Sequence, residues 1–289
     1  MDFWLQIVAN GLLLGGVYAL SAVAFSLEWG VLNIVNLAHG SFIMLGAYLT
    51  WMLFTSPLRV DPLLSAPVDF ALLGGLGFLM QRLLLNRVMR GQFFLTLLLT
   101  FGIDQVLVNT GILLWTADPR AVTPAYSSRS LALGALTIPY TRLAVLAVAV
   151  GITVALASFM RHTRLGRAIN ATGMDLDAAS LMGVRLPVVF ALTMGLGCGL
   201  AGLAGAFYSL NFPFSPQIGG DLTLRAFVVT CLGGLGNMYG PLLGGLALGM
   251  VESVASVVVG SGAVDATAFV ILVLILALRP QGLGGRAVA

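Results

Sequence analysis

The fold is decided by residues 161–187, RHTRLGRAINATGMDLDAASLMGVRLP. This is the longest polar island in an otherwise almost continuously apolar chain. It carries four arginines (Arg161, Arg164, Arg167, Arg185) and two acids, Asp175 and Asp177. Asp175 or Asp177 can cap a short helix over Leu176–Met182, because a carboxylate there accepts from the free N–H groups of the first turn, and Gly183 can end it. Apolar segments flank the island on both sides. A small amphipathic helix held on the cytoplasmic side between two spans is a handle: something outside the membrane can grip it and move the spans.

Composition points the same way. Of 289 residues, 59% are hydrophobic and 9% charged, against about 25% charged in soluble domains, and the mean hydropathy is +1.02. Such a chain cannot cover its surface with polar groups, so it reads as an all-α polytopic membrane protein, a single domain over residues 1–289. Its net charge is +3, and every basic residue besides the two histidines is arginine. Without lysine there is no Walker A loop to cradle phosphates and no Schiff-base chemistry. Cys198 and Cys231 sit in apolar runs without metal-ligand spacing and read as packing residues. Met1-Asp2-Phe3 lacks a basic region, so the first segment is expected to stay as a span. No metal, cofactor or nucleic-acid partner is expected.

A span needs about 20 apolar residues, fewer where it is broken or re-entrant. The runs are Phe3–Leu27, Ser41–Thr55, Val68–Leu85, Phe93–Trp115, Leu143–Met160, Val188–Leu210, Leu222–Leu235, Leu242–Val259 and Ala266–Leu278. Ser56–Pro67, with three prolines, reads as an external loop. Asn86–Gln92 reads as a short loop, and Thr116–Thr141 as a longer one with room for a small hairpin. Placing the Arg82–Arg90 cluster, the handle and the tail (Arg279, Arg286) in the cytoplasm satisfies the positive-inside rule and leaves the N-terminus outside. Nine crossings result, with eight to ten allowed for broken segments.

Two breaks interrupt these runs: NIVNLAHG (Asn33–Gly40) and GGLGNMYG (Gly233–Gly240). Unwound backbone within a membrane is tolerated only where protein or water satisfies its N–H and C=O groups, and paired breaks in two halves of a chain point to a translocation pathway. Asn36, His39, Gly40, Gly236 and Asn237 are therefore pathway candidates. Gly236, Gly240 and Gly244 repeat at four, as do Gly245 and Gly249, and Gly11 and Gly15 form a similar face, so close helix packing is the competing reading. For the second break packing is the stronger reading. For the first, which carries Asn36 and His39, the two stand level. Asp104 lies within a span, where a carboxylate needs a partner or water. Glu252 follows the second break by about three turns and faces either the bundle interior or an interface. No Ser/His/Asp, metal or paired-carboxylate constellation is apparent, so no enzyme site is expected.

Together these residues resemble a known family. Asn33–Tyr48 (NIVNLAHGSFIMLGAY) is similar to the signature of LivH-type permeases, the membrane subunits of branched-chain amino acid ABC importers. The resemblance continues through Thr163–Val184, Cys231–Ser253 and Arg279–Gly285, in the expected order and over nearly the whole chain. It implies a type II-like importer fold in the bacterial inner membrane. It also implies partners: a second permease of the LivM type, two cytoplasmic ATPase subunits and an external substrate-binding protein. Residues 161–187 then correspond to the coupling loop, with Asp175, Asp177, Ala178, Ala179, Ser180, Leu181, Met182 and Gly183 docking in a groove of the ATPase. ATP binding would drive alternating access. Related permeases also serve other amino acids, urea and short-chain amides, and no residue here reports the side chain carried. An ion-coupled secondary transporter is the competing class, since membrane carboxylates such as Asp104 and Glu252 serve proton or sodium coupling.

Overall fold

The computed structural model describes residues 2–57, 59–88, 93–133, 136–234, 237–258, 260, 266, 269–271, 273, 274, 277 and 282. The chain divides into two compact units. One comprises Leu27–Val122 and Ala155–Thr223, the other Met1–Ser26, Thr123–Val154 and Leu224–Ala289.

In chain order the helices begin with α1 (Asp2–Leu32), α2 (His39–Thr55) and α3 (Pro62–Met80). A π-helical turn, Gln81–Leu85, carries α3 into the short α4 (Asn86–Val88), and α5 (Phe93–Trp115) follows. A two-stranded antiparallel hairpin, β1 (Ser130–Leu133) and β2 (Leu136–Pro139), pairs Leu131 with Ile138. Then come α6 (Tyr140–His162), α7 (Arg164–Met174), α8 (Leu176–Leu181), α9 (Leu186–Ser209), α10 (Gly219–Gly233) and α11 (Gly240–Val258). Among the described residues six helical stretches are long and apolar enough to cross a membrane. They are Phe3–Leu32, Pro62–Val88, Phe94–Trp115, Tyr140–His162, Leu186–Ser209 and Gly240–Val258. The shorter α2 and α10 each adjoin a break and bring the apolar helices to eight. The expected last span, 266–278, lies partly outside the described residues, and Arg90 and nearly all of the 279–289 tail lie outside them.

Three elements differ from the sequence expectation. Pro67 lies inside α3 rather than in a loop, because the helix starts five residues earlier. The Asp61 carboxylate accepts from the Leu63 N–H at 2.9 Å, Pro62 sits at the first position, where no N–H is needed, and Pro67 is close enough to the start to cost little. Arg164–Met174 is helical rather than loop. The Thr163 hydroxyl caps it by accepting from Gly166 N–H at 2.9 Å, and Ile169 and Thr172 bury one face while Arg164 and Arg167 stay exposed. Finally, α1 runs on through Glu28 to Leu32, so the first break narrows to residues 33–38. Asn33 ends the helix at φ 51°, a left-handed conformation that asparagine tolerates.

The unit containing α2, α3 and α9 is built on backbone-to-backbone approach. A Cβ on Gly46 or Gly205 would overlap a carbonyl of the facing helix, Gly202 or Ile43 respectively, and one on Gly199 would lie 2.8 Å from the Phe70 carbonyl. Two more residues from an apolar stripe, Met194 and Cys198, are fully buried there. In the other unit the two glycine faces read from the sequence meet each other. A Cβ on Gly15 would sit 2.6 Å from the Leu246 Cα, and one on Gly11 would sit 2.8 Å from the Met250 Cα. Tyr18, Ala22, Val228, Val229, Leu232 and Leu248 fill the core beside this contact.

Candidate functional site

The first break is held open by side chains that stand in for helical hydrogen bonds. The Thr100 hydroxyl of α5 accepts from Leu37 N–H at 3.3 Å, and the Thr223 hydroxyl of α10 accepts from Gly40 N–H at 2.8 Å. The Asn36 carbonyl oxygen of the side chain accepts from Ala38 N–H at 3.1 Å, an Asx turn. An unsatisfied backbone group in the apolar core costs several kcal/mol, so these partners let residues 33–38 stay unwound. Gly40 is required at the start of α2, because a Cβ there would overlap the Gly219 carbonyl.

Beneath this segment lies a buried acid that sequence reasoning left unassigned. Glu28, 1% exposed, accepts from the Asn36 side-chain amide at 2.9 Å and from the Cys198 thiol at 3.8 Å. The His39 imidazole Nδ1 stands 3.5 Å from Glu28 Oε2, the same oxygen that accepts from Asn36, a contact that becomes ionic when the ring carries a second proton. Gly197 leaves the room, since a Cβ there would press on the Glu28 side chain. A lone acid in the last turns of an apolar span was the available signal.

Two further carboxylates are buried in this unit. Asp104 of α5 accepts from the Ser41 hydroxyl at 2.5 Å and from the Gln105 amide at 3.2 Å. Asn36, His39 and Ser41 are thus one segment fastened on one side to Glu28 and on the other to Asp104. Asp69 of α3, which the sequence did not single out, is fully buried and accepts from the Thr50 hydroxyl at 2.6 Å. Its Oδ1 has no hydrogen-bond partner among the described residues.

In the other unit Glu252 faces the interior. It is 1% exposed and accepts from the Tyr18 hydroxyl at 2.6 Å and from Arg225 Nη1 at 3.0 Å. Arg225 also donates to the Tyr18 hydroxyl. One triad therefore ties α1, α10 and α11. The second break is a tight turn between helices: Gly234 takes φ 95°, the Asn237 side chain accepts from Tyr239 N–H at 3.0 Å, and Gly233 packs directly on Gly240. Gly236 lies outside the described residues.

The handle is a capped helix with a bare apolar tip. The Asp175 carboxylate accepts from the N–H groups of Asp177 at 2.9 Å and Ala178 at 3.0 Å. The Ser180 hydroxyl donates to the Asp177 carbonyl, and Gly183 closes the C-terminus at φ 85° with Val184 N–H bonded to the Ala179 carbonyl. Only Ala179 faces inward. Leu181 and Met182 are 87% and 85% exposed and Met174 is 83% exposed. Among the described residues no three His, Cys, Asp or Glu side chains are grouped to hold a metal ion.

A bundle that crosses the membrane many times, unwinds within it where side chains can replace backbone partners, and presents a capped helix between two spans has the architecture of a multi-pass membrane permease. In bacteria that places it in the inner membrane. The family model described as "Branched-chain amino acid transport system / permease component" matches residues 7–278, and the chain belongs to that family. The high-affinity branched-chain amino acid transport system permease protein BraD of Pseudomonas aeruginosa is 28% identical over 98% of this chain and 96% of its own length. The corresponding LivH of Escherichia coli K12 is 29% identical over the same shares. A probable LivH of Methanocaldococcus jannaschii is 23% identical over 97% of this chain and 92% of its own. No solved structure matches the chain at a significant level.

Proposed function

We propose that this chain is the translocating subunit of an ABC importer that carries branched-chain amino acids into the cytoplasm. The substrate class rests on its relatives, whose names give branched-chain amino acid transport over nearly the full length of the chain. The observation that carries the mechanism is the exposed tip of α8. Leu181 and Met182 present an apolar surface at the end of a short, doubly capped helix, and Met174, the last residue of α7, is exposed just before its start, the shape and chemistry of a knob that fits a groove on a partner (an isolated apolar patch on a polar face marks an interaction site). The partner is an ATPase subunit, and residues 161–187 form the coupling loop. Asp175 and Asp177 set the start of the knob, Ala178, Ala179 and Ser180 its body, and Gly183 its end. Two ATPases, a second LivM-like permease and an external binding protein complete the machine.

The two units act as one permease domain over residues 1–289, of type II-like importer fold. Asn36, His39, Gly40 and Asp104 in one unit, and Gly236, Asn237 and Glu252 in the other, are the residues assigned to the pathway. Each break is a place where helices on either side can pivot without breaking a continuous ladder of hydrogen bonds. ATP binding draws the ATPases together, α8 moves with them, and the spans exchange outward- and inward-open states.

The test is uptake into proteoliposomes containing the transporter purified through this chain, with binding protein outside and ATP inside. Leucine, isoleucine and valine should enter only with ATP present. Uptake of urea or short amides in their place would move the substrate class, and uptake driven by an ion gradient alone would overturn the importer assignment.

A further inference from the structure

A groove of about 1030 Å³ opens between α3 and α5 near their joined ends, and its lining is apolar throughout. Leu76, Met80 and Leu84 form one wall and Leu95, Gly102 and Val106 the other. Ligand pockets of about 300–1,000 Å³ normally carry a few polar groups that orient their ligand, whereas this one offers none. A polar solute gains nothing from it. A hydrocarbon chain does.

Two arginines lie on the same helical stretch as the α3 wall. The lining follows two ridges of one helical face, Leu76–Met80–Leu84–Val88 and Leu79–Leu83. Arg87, four residues beyond Leu83, continues the second ridge past the groove. Arg82 lies about one turn earlier, in the π-helical turn Gln81–Leu85, where the helix widens. Both arginines are exposed, and neither has an ion-pair partner among the described residues. The arginine distribution places this end of α3 at the cytoplasmic surface, where anionic lipid head groups concentrate.

We propose that this groove is a binding site for an anionic phospholipid of the cytoplasmic leaflet, with an acyl chain along α3 and α5 and the phosphate between Arg82 and Arg87. Charge complementarity selects the occupant. A neutral helix of a partner protein would cover the leucines and leave two arginines unmatched, while an anionic lipid satisfies chain and rim together. Each arginine near such a head group contributes about fivefold in affinity, so the pair gives roughly 25-fold selectivity for an anionic over a zwitterionic lipid of the same chains.

The experiment is native mass spectrometry of the intact transporter, purified in mild detergent, delipidated, and titrated with phosphatidylglycerol or phosphatidylcholine. The parent should retain phosphatidylglycerol at roughly 25-fold lower lipid concentration. Arg82→Gln with Arg87→Gln should remove that preference and leave phosphatidylcholine binding as it was. Gly102→Leu should weaken both lipids, and a Cβ there meets no atom of the described residues within 4 Å. Should that variant fail to assemble, Leu98→Trp fills the same groove. Millimolar inorganic phosphate should not compete, because it has no chain to bury. Equal binding of the two lipids by the parent would overturn the proposal, as would an unchanged preference in the double arginine variant. Crosslinking of Leu84→Cys to the second permease would also overturn it, since protein would then occupy the groove.

Discussion

The Glu28 carboxylate accepts a hydrogen bond from the Asn36 amide at 2.9 Å, so the last turn of α1 holds the unwound segment that follows it. The seven residues between them contain the end of a helix, a left-handed asparagine and the start of the break. Glu28→Gln keeps an acceptor for Asn36 and should leave the melting temperature of the purified transporter nearly unchanged. Glu28→Leu leaves a buried amide without its partner and should cost about 1–3 kcal/mol. A leucine variant as stable as the parent would show that the break does not depend on this contact.

Arg225 and Glu252 make a second such fastening, with Tyr18 between them. Glu252 is buried, so removing its cation should be expensive: Arg225→Met alone should lower stability by about 3 kcal/mol. Arg225→Met combined with Glu252→Leu should recover much of that loss, because no lone charge remains. Thermal unfolding of the three proteins checks the pattern, and equal losses in single and double variants would contradict it.

Glycine positions divide into two groups that substitution should separate. Gly46→Leu forces a side chain into the Gly202 carbonyl, and Gly240→Leu into Gly233, and both should abolish accumulation of folded protein in the membrane. A Cβ at Gly75 or Gly151 meets nothing within 4 Å, and Gly75→Leu and Gly151→Leu should express as the parent does. Fluorescence-detected size-exclusion of tagged variants distinguishes them. Normal yield of the Gly240 variant would show that its face does not pack as described.

Asp104 is held by Ser41 and Gln105, and Asn in its place preserves an acceptor for the Ser41 hydroxyl. Asp104→Asn should therefore transport at close to the parental rate. A loss of about 100-fold or more is what removing a working proton carrier gives, and that outcome would favour ion coupling.

Local signals made much of this molecule legible. The Asp175 cap, the Gly183 terminus, the hairpin in 116–141 and the Phe93–Trp115 span each depend on a few neighbouring residues, and each is where the pattern puts it. Pro67 misled because a proline near a helix start is harmless when Asp61 and Pro62 have already begun the helix. The α7 helix was hidden by its arginines, which mark the segment only as a polar island until Thr163 is seen as its cap. Glu28, Arg225 and Asp69 were not recognised as site residues for a different reason. Their partners (Cys198, Tyr18 and Thr50) lie on other helices, as many as 207 positions away, and hydrophobic periodicity carries no information about which helices meet. The glycine faces were readable as faces, but not that Gly11–Gly15 would meet Gly245–Gly249.

At the end of α8, Gly183 holds φ 85° with open space around a Cβ. The constraint is therefore the backbone and not crowding. Gly183→Ala should destabilise the α8 terminus by about 1 kcal/mol, and Gly183→Asn by less, because asparagine enters the left-handed region more easily. Both proteins should reach the membrane. ATP hydrolysis stimulated by the binding protein should fall in the order Gly, Asn, Ala, and equal activity of all three would remove Gly183 from the coupling element.

The most direct measurement is a crosslink from the tip of α8. Both native cysteines, Cys198 and Cys231, are buried, so Met182→Cys supplies a single reactive thiol on a side chain that is 85% exposed. The intact transporter, treated with a short thiol-to-amine crosslinker, should give one new species with the mass of this chain plus one ATPase subunit. Its yield should change when ATP is added. A Met182→Cys protein that transports normally yet never crosslinks to an ATPase would contradict the account, because α8 would then not be the part of the permease that the ATPase moves.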